Sequence, residues 1–472
     1  MQPSDQTSAP LCVDLDGTLV KLDTLHQALC MLIRSAPRVL FELPSWIKKG
    51  RAYTKNEVAS RMPLRVSALP YNQALLAYLR EEKKRGRKLI LVTAANERTA
   101  HAVADHLALF DEVIASSATS NLFGEAKAAK LREKYDTYDY AGDSIHDLPV
   151  WKTAHKKILV NPDKKAKRQQ PADLLIEEKR GLSPTLSHAL RLHQWPKNLL
   201  VFTPLLLAHQ LHQPTLLWQG FLAFLSFSAM ASAIYLINDL LDIAADQNHP
   251  RKKHRPLAAG DLSLLQGFRL CPIMLVIGLS LSLWLPLNFQ LSILLYLLVT
   301  LLYSFKLKQF ALLDLLILTL LYTLRIIAGG AATHTPISGW FISFSLLFFF
   351  TLALSKRASE LWNMNHLSLS DVDRGRGYGA QHLRILEWVG YGSSLLSVSV
   401  LMGYILSDKA QYLYTDARLM WLIPPMLFYW LVRVWHAVRN GALKEDPLLY
   451  TLCDKQTYVL GLLTGLIIYY AI

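Results

Sequence analysis

The sequence predicts two domains of different fold class, an N-terminal α/β domain with a helical cap and a C-terminal all-α polytopic membrane domain of about nine transmembrane helices. Three observations lead to this prediction. The chain has 472 residues, which is more than one small domain needs. Charges and short apolar runs are frequent before residue 180, whereas runs of Leu, Ile, Phe and Val near membrane-spanning length dominate from about residue 199 onward. We therefore place the soluble domain at 1–160, a polar linker at 161–182 and the membrane domain at 183–472.

The soluble part alternates short apolar runs with helical segments. Four runs have the composition of buried strands and end in polar residues: 11–20 ("LCVDLDGTLV"), 88–96 ("KLILVTAAN"), 111–117 ("DEVIASS") and 138–144 ("YDYAGDS"). Strands that alternate with helices favour a parallel sheet with helices on both faces. The helical segment at about 23–85 is expected to be a cap inserted after the first strand.

The connecting loops of the membrane part predict its orientation. Candidate spans lie at about 199–210, 217–240, 264–285, 288–305, 311–330, 338–355, 385–406, 417–435 and 456–472. Every second loop carries most of the Lys and Arg, and such loops stay in the cytoplasm. The first ten residues lack the basic-then-apolar pattern of a secretory signal. We therefore expect a multi-pass protein of the inner (cytoplasmic) membrane, with its N-terminal domain and acidic loops on the cytoplasmic side.

The formal net charge of +14 is explained by these cytoplasmic basic loops, so nucleic acid is not expected as a partner. Four cysteines show neither paired nor metal-ligand spacing, which is typical of reduced residues in a cytoplasmic or membrane setting.

A set of motifs follows the strands of the soluble part. "DLDGT" carries Asp14 and Asp16, "LVTAAN" carries Thr93, "GEAKAAKL" carries Lys127 and "GDSIHD" carries Asp143. Residues 10–160 thereby resemble the haloacid dehalogenase superfamily of phosphotransferases, in which the same four elements occur in the same order. The resemblance implies a Rossmann-like fold with a cap over a phosphatase site.

The resemblance also implies roles. Asp14 is the nucleophile that forms an acyl-phosphate, and Asp16 protonates the leaving group and later activates water. Thr93 and Lys127 bind the phosphoryl oxygens, with Lys130 as the alternative lysine. Mg²⁺ is the implied cofactor, with Asp14, Asp16 and Asp143 as ligands and Asp147 as a supporting residue. A phosphatase fold retained only as a scaffold remains an open alternative.

Acidic residues gather where the second candidate span reaches the cytoplasm. Asn238, Asp239, Asp242 and Asp246 fall at helical angles of about 0°, 100°, 40° and 80°, so they share one helix face. Carboxylates at a bilayer edge are costly unless a cation compensates them, and Mg²⁺ prefers carboxylate and phosphate oxygens. This pattern resembles the UbiA superfamily of intramembrane prenyltransferases over about 185–472, which implies that these residues bind a Mg²⁺–diphosphate.

The sequence departs from the common UbiA pattern on a later helix end, where "SKRASEL" replaces the second acidic motif. With "LHQWPKNLLVFTPLL" and "NHPRKKHRPLAAGDLS", it resembles the branch of decaprenyl-phosphate phosphoribosyltransferases. That branch implies phosphoribosyl pyrophosphate as donor, a polyprenyl phosphate lipid as acceptor and Mg²⁺ as cofactor. The phosphate groups of both substrates need cations, and the candidates are Lys197, Arg251, Lys253, Arg255, Lys306, Lys308, Arg325, Lys356 and Arg357; Glu360 is a further candidate substrate-binding residue.

Three readings of function stay open at this stage. The first is a bifunctional enzyme that transfers 5-phosphoribosyl to the lipid and then removes the 5-phosphate. The second is a prenyltransferase that uses a prenyl diphosphate and an aromatic acceptor. The third is a phosphatase with an inactive membrane anchor. For Arg325, a structural ion pair with Asp314 is the alternative to a role in substrate binding.

Overall fold

A computed structural model describes residues 9–178, 181–366, 380–443 and 447–472. The chain forms two compact units. The first unit consists of residues up to Arg191 together with Tyr235–Ile273, and the second consists of Leu192–Ile234 and Met274–Ile472. A short stretch of the membrane region therefore belongs to the same compact unit as the soluble domain.

A parallel sheet of six strands, in the order β3-β2-β1-β4-β5-β6, lies at the centre of the first unit. The strands are β1 Leu11–Val13, β2 Leu89–Asn96, β3 Glu112–Ser116, β4 Asp139–Gly142, β5 Lys157–Val160 and β6 Leu174–Ile176. The polar residues that follow β1, β2 and β4 share one edge of the sheet, because parallel strands end on the same side. This edge holds the candidate phosphatase site.

The predicted α/β class and the four predicted strands are confirmed, and two strands were missed. β5 has only four residues and is bounded by lysine and asparagine, so its apolar run is too short to stand out. β6 lies within the segment expected to be linker, 161–182, which also contains a short helix at Lys164–Gln169. Regular structure therefore extends into this segment, where β6 is a run of only three apolar residues among charged and polar ones.

The helices around the sheet are α1 Thr24–Ser35, α2 Val39–Lys48, α3 Arg51–Arg61, α4 Gln73–Lys84, α5 Glu97–Leu107, α6 Glu125–Lys134, α7 Leu148–Trp151, α8 Lys164–Gln169 and α9 Leu182–Ala189. The first three form the cap and share a small apolar core around Trp46 and Val58. The fourth, although inside the expected cap range, packs Leu75 and Leu79 into the sheet core. The cap proper therefore ends before α4.

The helices of the membrane region are α10 Thr203–Leu207, α11 Pro214–Leu241, α12 Ile243–Asn248, α13 Leu264–Ser282, α14 Leu287–Phe305, α15 Ala311–Ala332, α16 Gly339–His366, α17 Leu383–Ile405, α18 Asp408–Leu413, α19 Ile423–Arg439, α20 Pro447–Cys453 and α21 Lys455–Ala471. In the second unit, α15 packs between α14 and α16, and α17 and α19 both pack against α16.

Six helices within the described ranges are long and apolar enough to cross a membrane: α11, α13, α14, α15, α16 and α17. The prediction of about nine spans is not confirmed. The first expected span, 199–210, is the end of a 3₁₀ stretch followed by the five-residue α10. α19 and α21, which match the last two expected spans, have 17 residues each and fall outside the six.

Candidate active sites

Asp14 lies directly after β1, where the chain turns away from the sheet. Its Oδ1 accepts a hydrogen bond from the amide of Leu15 at 2.9 Å and lies 3.1 Å from Nζ of Lys127. Burial raises the pKa of Asp14 to about 6, against the opposing effect of the Lys127 ammonium. The side chain is therefore mostly ionised at neutral pH, as a carboxylate nucleophile must be.

Asp16 is oriented by the first residue of the cap, because its Oδ1 accepts a hydrogen bond from the amide of Thr24 at 2.8 Å. Burial and the neighbouring Asp23 carboxylate raise the pKa of Asp16 to about 7. A carboxyl group whose pKa is raised towards neutrality suits a residue that donates and then accepts a proton.

Three carboxylates near the end of β4 are placed to hold a metal ion. Oxygen atoms of Asp14, Asp143 and Asp147 lie within 4.8 Å of one another. Thr18 Oγ1 donates a hydrogen bond to Asp143 Oδ1 at 3.1 Å. Burial, followed by the charges of Asp147 and Asp14, raises the pKa of Asp143 well above its usual range. Such crowding of oxygen donors fits a divalent cation such as Mg²⁺. Asp16 is outside this group among the residues that the structure describes.

Lys127 and Lys130 are placed very differently. Lys127 has only 3% of its surface exposed, and its Nζ contacts Asp14 and lies 3.3 Å from Asp147 Oδ1. Burial opposes the charged form, but these carboxylates outweigh it and raise the pKa of Lys127 above its usual range. Lys130 pairs with Glu133 on the surface instead. Thr93 is buried within β2, three residues before its end, and its Oγ1 accepts a hydrogen bond from the amide of Ala95 at 3.0 Å.

The structure adds two residues to this site that the motifs did not single out as members. Asp147, expected only as support, is one of the three carboxylates that could hold a metal ion and accepts a hydrogen bond from Tyr140 at 2.7 Å. Lys55 of α3 reaches in from the cap, and its Nζ donates to Ala94 O at 2.6 Å and Asn121 Oδ1 at 2.8 Å. Nothing in the spacing of the cap sequence distinguishes Lys55 from its other lysines. One cavity of about 860 Å³ is lined by Asp14, Asp16, Lys55, Thr93, Lys127, Asp143 and Asp147.

The acidic segment of the membrane region lies in the first unit. α11 ends at Leu241, and α12 restarts the helix after Asp242, so the four residues are not on one unbroken helix. Arg255 Nη1 bridges two of the acids, at 3.0 Å from Asp239 Oδ1 and 2.6 Å from Asp246 Oδ2. Burial raises the pKa of Asp246, although Arg255 opposes the shift.

Two further arginines contact these acids. Arg191 pairs with Asp239, and its guanidinium lies 4.5 Å from the centre of the Tyr235 ring. Arg34, from cap helix α1, pairs with Asp242. Arg191 has a left-handed backbone conformation with φ of 51°, which is uncommon for a residue other than glycine. Such conformations cluster at active sites and ligand-binding sites. Neither arginine was anticipated, since each is distant from the acids in sequence.

The buried arginines of the second unit already have partners. Arg325 donates to Asn198 Oδ1 at 2.9 Å and to the Tyr296 hydroxyl at 3.1 Å. Asp314 pairs with Arg357, at 2.5 Å from Nε to Oδ2, so the ion pair considered for Arg325 is made by another residue. Arg357 also contacts Glu360 at 2.6 Å.

The remaining predicted residues differ in exposure. Arg251, Lys253 and Lys306 are exposed, Asn238, Lys308 and Lys356 are half-buried, and Lys197 is buried. Arg251 and Lys253 belong to the first unit with the acids, whereas Lys197, Lys306, Lys308 and Lys356 belong to the second. Their roles in binding phosphate stay predictions.

Comparison with known proteins agrees with both resemblances. Residues 199–452 match the UbiA prenyltransferase family. This chain belongs to the UbiA prenyltransferase family. Residues 11–152 match the haloacid dehalogenase-like hydrolases, so the UbiA domain is fused to a haloacid dehalogenase domain.

This UbiA family member is similar in sequence to proteins of bacteria and to a solved archaeal structure. A Sinorhizobium fredii protein named uncharacterized protein y4nM is 36% identical over 96% of this chain and 89% of its own length. The decaprenyl-phosphate phosphoribosyltransferase of Mycolicibacterium smegmatis is 31% identical over 60% of this chain and 91% of its own. A solved structure of a UbiA homolog from Archaeoglobus fulgidus bound to GPP and Mg²⁺ is 17% identical, with a TM-score of 0.44, over 61% of this chain and 98% of its own.

Proposed function

We propose that this protein is a bifunctional membrane enzyme. Its UbiA domain transfers 5-phosphoribosyl from phosphoribosyl pyrophosphate to a polyprenyl phosphate, and its haloacid dehalogenase domain then removes the 5-phosphate. The final product is a polyprenyl-phosphoribose. One observation carries the proposal: a relative named decaprenyl-phosphate phosphoribosyltransferase matches this chain over 91% of its own length, and here that region is fused to a phosphatase-type domain.

The acidic segment supports the transfer step. Asp239, Asp242 and Asp246 offer the oxygen ligands that Mg²⁺ prefers, and Mg²⁺ bound there would neutralise the pyrophosphate that leaves. Arg255 lies between two of these acids, so its guanidinium is near any phosphate that the acids recruit. A phosphate oxygen of the lipid would form the new bond to the anomeric carbon as the carbon–oxygen bond to pyrophosphate breaks.

The second step uses the site at the end of β1. Asp14 forms a bond to phosphorus while the ester bond to the sugar breaks, and Asp16 protonates the departing sugar oxygen. Asp16 then takes a proton from the water that attacks the acyl-phosphate, which releases inorganic phosphate and restores Asp14. Lys127 offsets the negative charge at this position, since its Nζ lies 3.1 Å from Asp14. Mg²⁺ held by Asp14, Asp143 and Asp147 would lower the repulsion between carboxylate and phosphate.

The location of both sites also forms part of the proposal. The distribution of basic loops favours the inner (cytoplasmic) membrane, with the acidic segment and the phosphatase domain in the cytoplasm. Phosphoribosyl pyrophosphate carries several negative charges and does not cross a bilayer unaided, so its binding site must face the compartment that contains it.

An assay of the purified full chain tests the proposal. The protein is supplied with phosphoribosyl pyrophosphate, polyprenyl phosphate and Mg²⁺, and pyrophosphate and inorganic phosphate are measured separately. We expect pyrophosphate release that depends on the lipid, followed by phosphate release. Turnover only with a prenyl diphosphate and an aromatic acid would identify a prenyltransferase instead. Hydrolysis of phosphate esters without any transfer would indicate that the membrane region is an anchor.

A further inference from the structure

Cap helix α2 has apolar side chains on two sides. Val39 and Trp46 are buried in the small core of the cap. Leu40, Phe41 and Ile47 instead are 50%, 88% and 66% exposed, and they form what we call the outer face of α2. Leu40 and Ile47 lie within about 20° of each other around the helix, and Phe41 extends this face by about 100°. A short helix that is apolar all round is normally covered on both sides, so the outer face lacks the cover that its composition predicts.

Exposed basic residues lie at both ends of the outer face. Arg38 directly precedes α2, Lys48 is its last residue and Lys49 follows it, and all three are exposed. The acid of this helix, Glu42, pairs with Arg61 of α3 at 2.7 Å, so its charge is compensated within the cap. An apolar face bordered by lysine and arginine is typical of helices that lie in the headgroup region of a membrane.

The helix before α2 contacts the segment that connects two candidate membrane spans, α11 and α13. Arg34, near the end of α1, pairs with Asp242, the first residue after α11. Further along the same helices, Gln27 donates to Gln247 at 2.7 Å, and both side chains are buried. All of these residues belong to the first unit. Val39, the first residue of α2, follows Arg34 by five residues, so their Cα atoms are at most about 18 Å apart.

We propose that the outer face of α2 lies on the bilayer surface at which α11 ends. Phe41 and Ile47 enter the headgroup region, while the basic residues at the two ends of the helix contact the phosphates of anionic phospholipids. Exposed apolar patches with a polar rim mark contacts with either proteins or membranes. The attachment of α1 beside the end of a span, together with the positive border, favours the membrane. This contact would exist whether or not the chain catalyses the two proposed reactions.

Photochemical crosslinking of the full chain in vesicles of phosphatidylcholine and phosphatidylglycerol tests the contact. Phe41 is replaced by p-benzoylphenylalanine, which reacts with nearby C–H bonds under ultraviolet light. Mass spectrometry measures the fraction of the peptide that carries a phospholipid. The same replacement of Leu175 is the matched control, because Leu175 is 42% exposed on strand β6 of the same unit. We expect at least about fivefold more phospholipid adduct at position 41 than at position 175.

Two results would overturn the proposal. Equal yields of phospholipid adduct at the two positions would mean that α2 makes no contact of its own with the bilayer. Crosslinks from position 41 to a second copy of the chain, or to another protein, would mean that protein covers the outer face. The measurement needs no substrate, so neither result depends on the enzymatic activities.

A pair of charge variants tests the role of the basic border. Lys48→Gln, Lys49→Gln removes two charges beside the outer face, and we expect the phospholipid adduct at position 41 to fall about threefold in the same anionic vesicles. Lys164→Gln, Lys165→Gln is the control, because it removes two adjacent exposed lysines from α8 of the same unit and should leave the yield unchanged. Equal yields for both variants would overturn the assignment of Lys48 and Lys49 to anionic phospholipid.

Discussion

Lys127 is the residue that most directly connects the phosphatase motifs to a single site. Its buried ammonium contacts Asp14 and Asp147, whereas Lys130, three residues later, pairs with Glu133 at the surface. We expect Lys127→Met to lower kcat for phosphate release by about 10²–10³-fold, because one group that stabilises developing negative charge is lost. The measurement is inorganic phosphate release from ribose 5-phosphate.

Lys130→Met is the control for this prediction, because it removes the same charge from the same helix but from its exposed side. We expect it to keep wild-type phosphate release. If Lys130→Met loses activity and Lys127→Met retains it, the lysine has been assigned wrongly. Circular dichroism of both variants separates loss of catalysis from loss of fold.

A substitution at Gly17 would test whether Asp143 is a metal ligand, because the backbone of Gly17 lies against the Asp143 side chain. Its φ is +79°, and a Cβ atom there would lie 2.3 Å from Oδ2 of Asp143. Gly86 has nearly the same conformation, with φ of +78°, but a Cβ atom there would meet nothing within 4 Å. Alanine at either position costs about 1 kcal/mol of folding free energy for the left-handed backbone. Only Gly17→Ala should also displace Asp143.

We therefore expect Gly17→Ala to raise the Mg²⁺ concentration needed for half-maximal phosphate release by about 10–100-fold, the range seen when the orientation of metal ligands is disturbed. Gly86→Ala should lose a similar amount of stability and keep the wild-type Mg²⁺ dependence. Titration of Mg²⁺ after treatment with a chelator measures this difference. Equal Mg²⁺ curves for both variants would argue against Asp143 as a ligand.

At the scale of elements, the pair Asp314–Arg357 connects α15 to α16 inside the second unit. The two side chains are 0% and 2% exposed, so their charges are compensated by each other, by the Tyr303 hydroxyl and, for Arg357, by Glu360. We expect Asp314→Leu alone to lower stability by about 1–3 kcal/mol, since the buried guanidinium loses its buried carboxylate partner and keeps only Glu360, which is 37% exposed. Thermal unfolding in detergent micelles measures the loss.

The double variant Asp314→Leu, Arg357→Met distinguishes a structural pair from a substrate contact. Replacement of both charges by apolar groups of similar volume is often neutral, so most of the lost stability should return. If Arg357 has only a structural role, transfer activity returns as well. A stable double variant that cannot release pyrophosphate would instead support the prediction that Arg357 binds phosphate.

At the scale of the whole molecule, the features that could be predicted from the sequence are those set by residues close together in the chain. The four predicted strands and the acids after β1 follow from local patterns, and the structure brings Asp14 and Lys127 together. Contacts between distant segments were not predictable. Arg191 meets Asp239 from 48 residues away, and Arg34 meets Asp242 from within the cap. The pattern of acidic residues in one segment does not indicate which basic residue of a distant segment will pair with them.

The fusion of two activities leads to a prediction about the intermediate. Tethering keeps the phosphatase near the lipid that the transferase releases, and linked sites reach effective concentrations of about the millimolar range. Wild-type protein supplied with phosphoribosyl pyrophosphate and polyprenyl phosphate should therefore accumulate little lipid that still carries the 5-phosphate. Thin-layer chromatography of radiolabelled lipid follows the intermediate and the product over time.

An equal mixture of Asp14→Asn and Asp239→Asn contains one working site of each kind, but on separate molecules. The intermediate must then leave one protein and reach another within the bilayer, so we expect a lag and at least about tenfold more of the 5-phosphorylated lipid than wild type shows. Asp14→Asn alone should stop at this intermediate, and Asp239→Asn alone should make neither lipid. If the mixture and the wild type follow the same time course, the fusion does not deliver one site's product to the other. The common chain would then only ensure that both enzymes are made together.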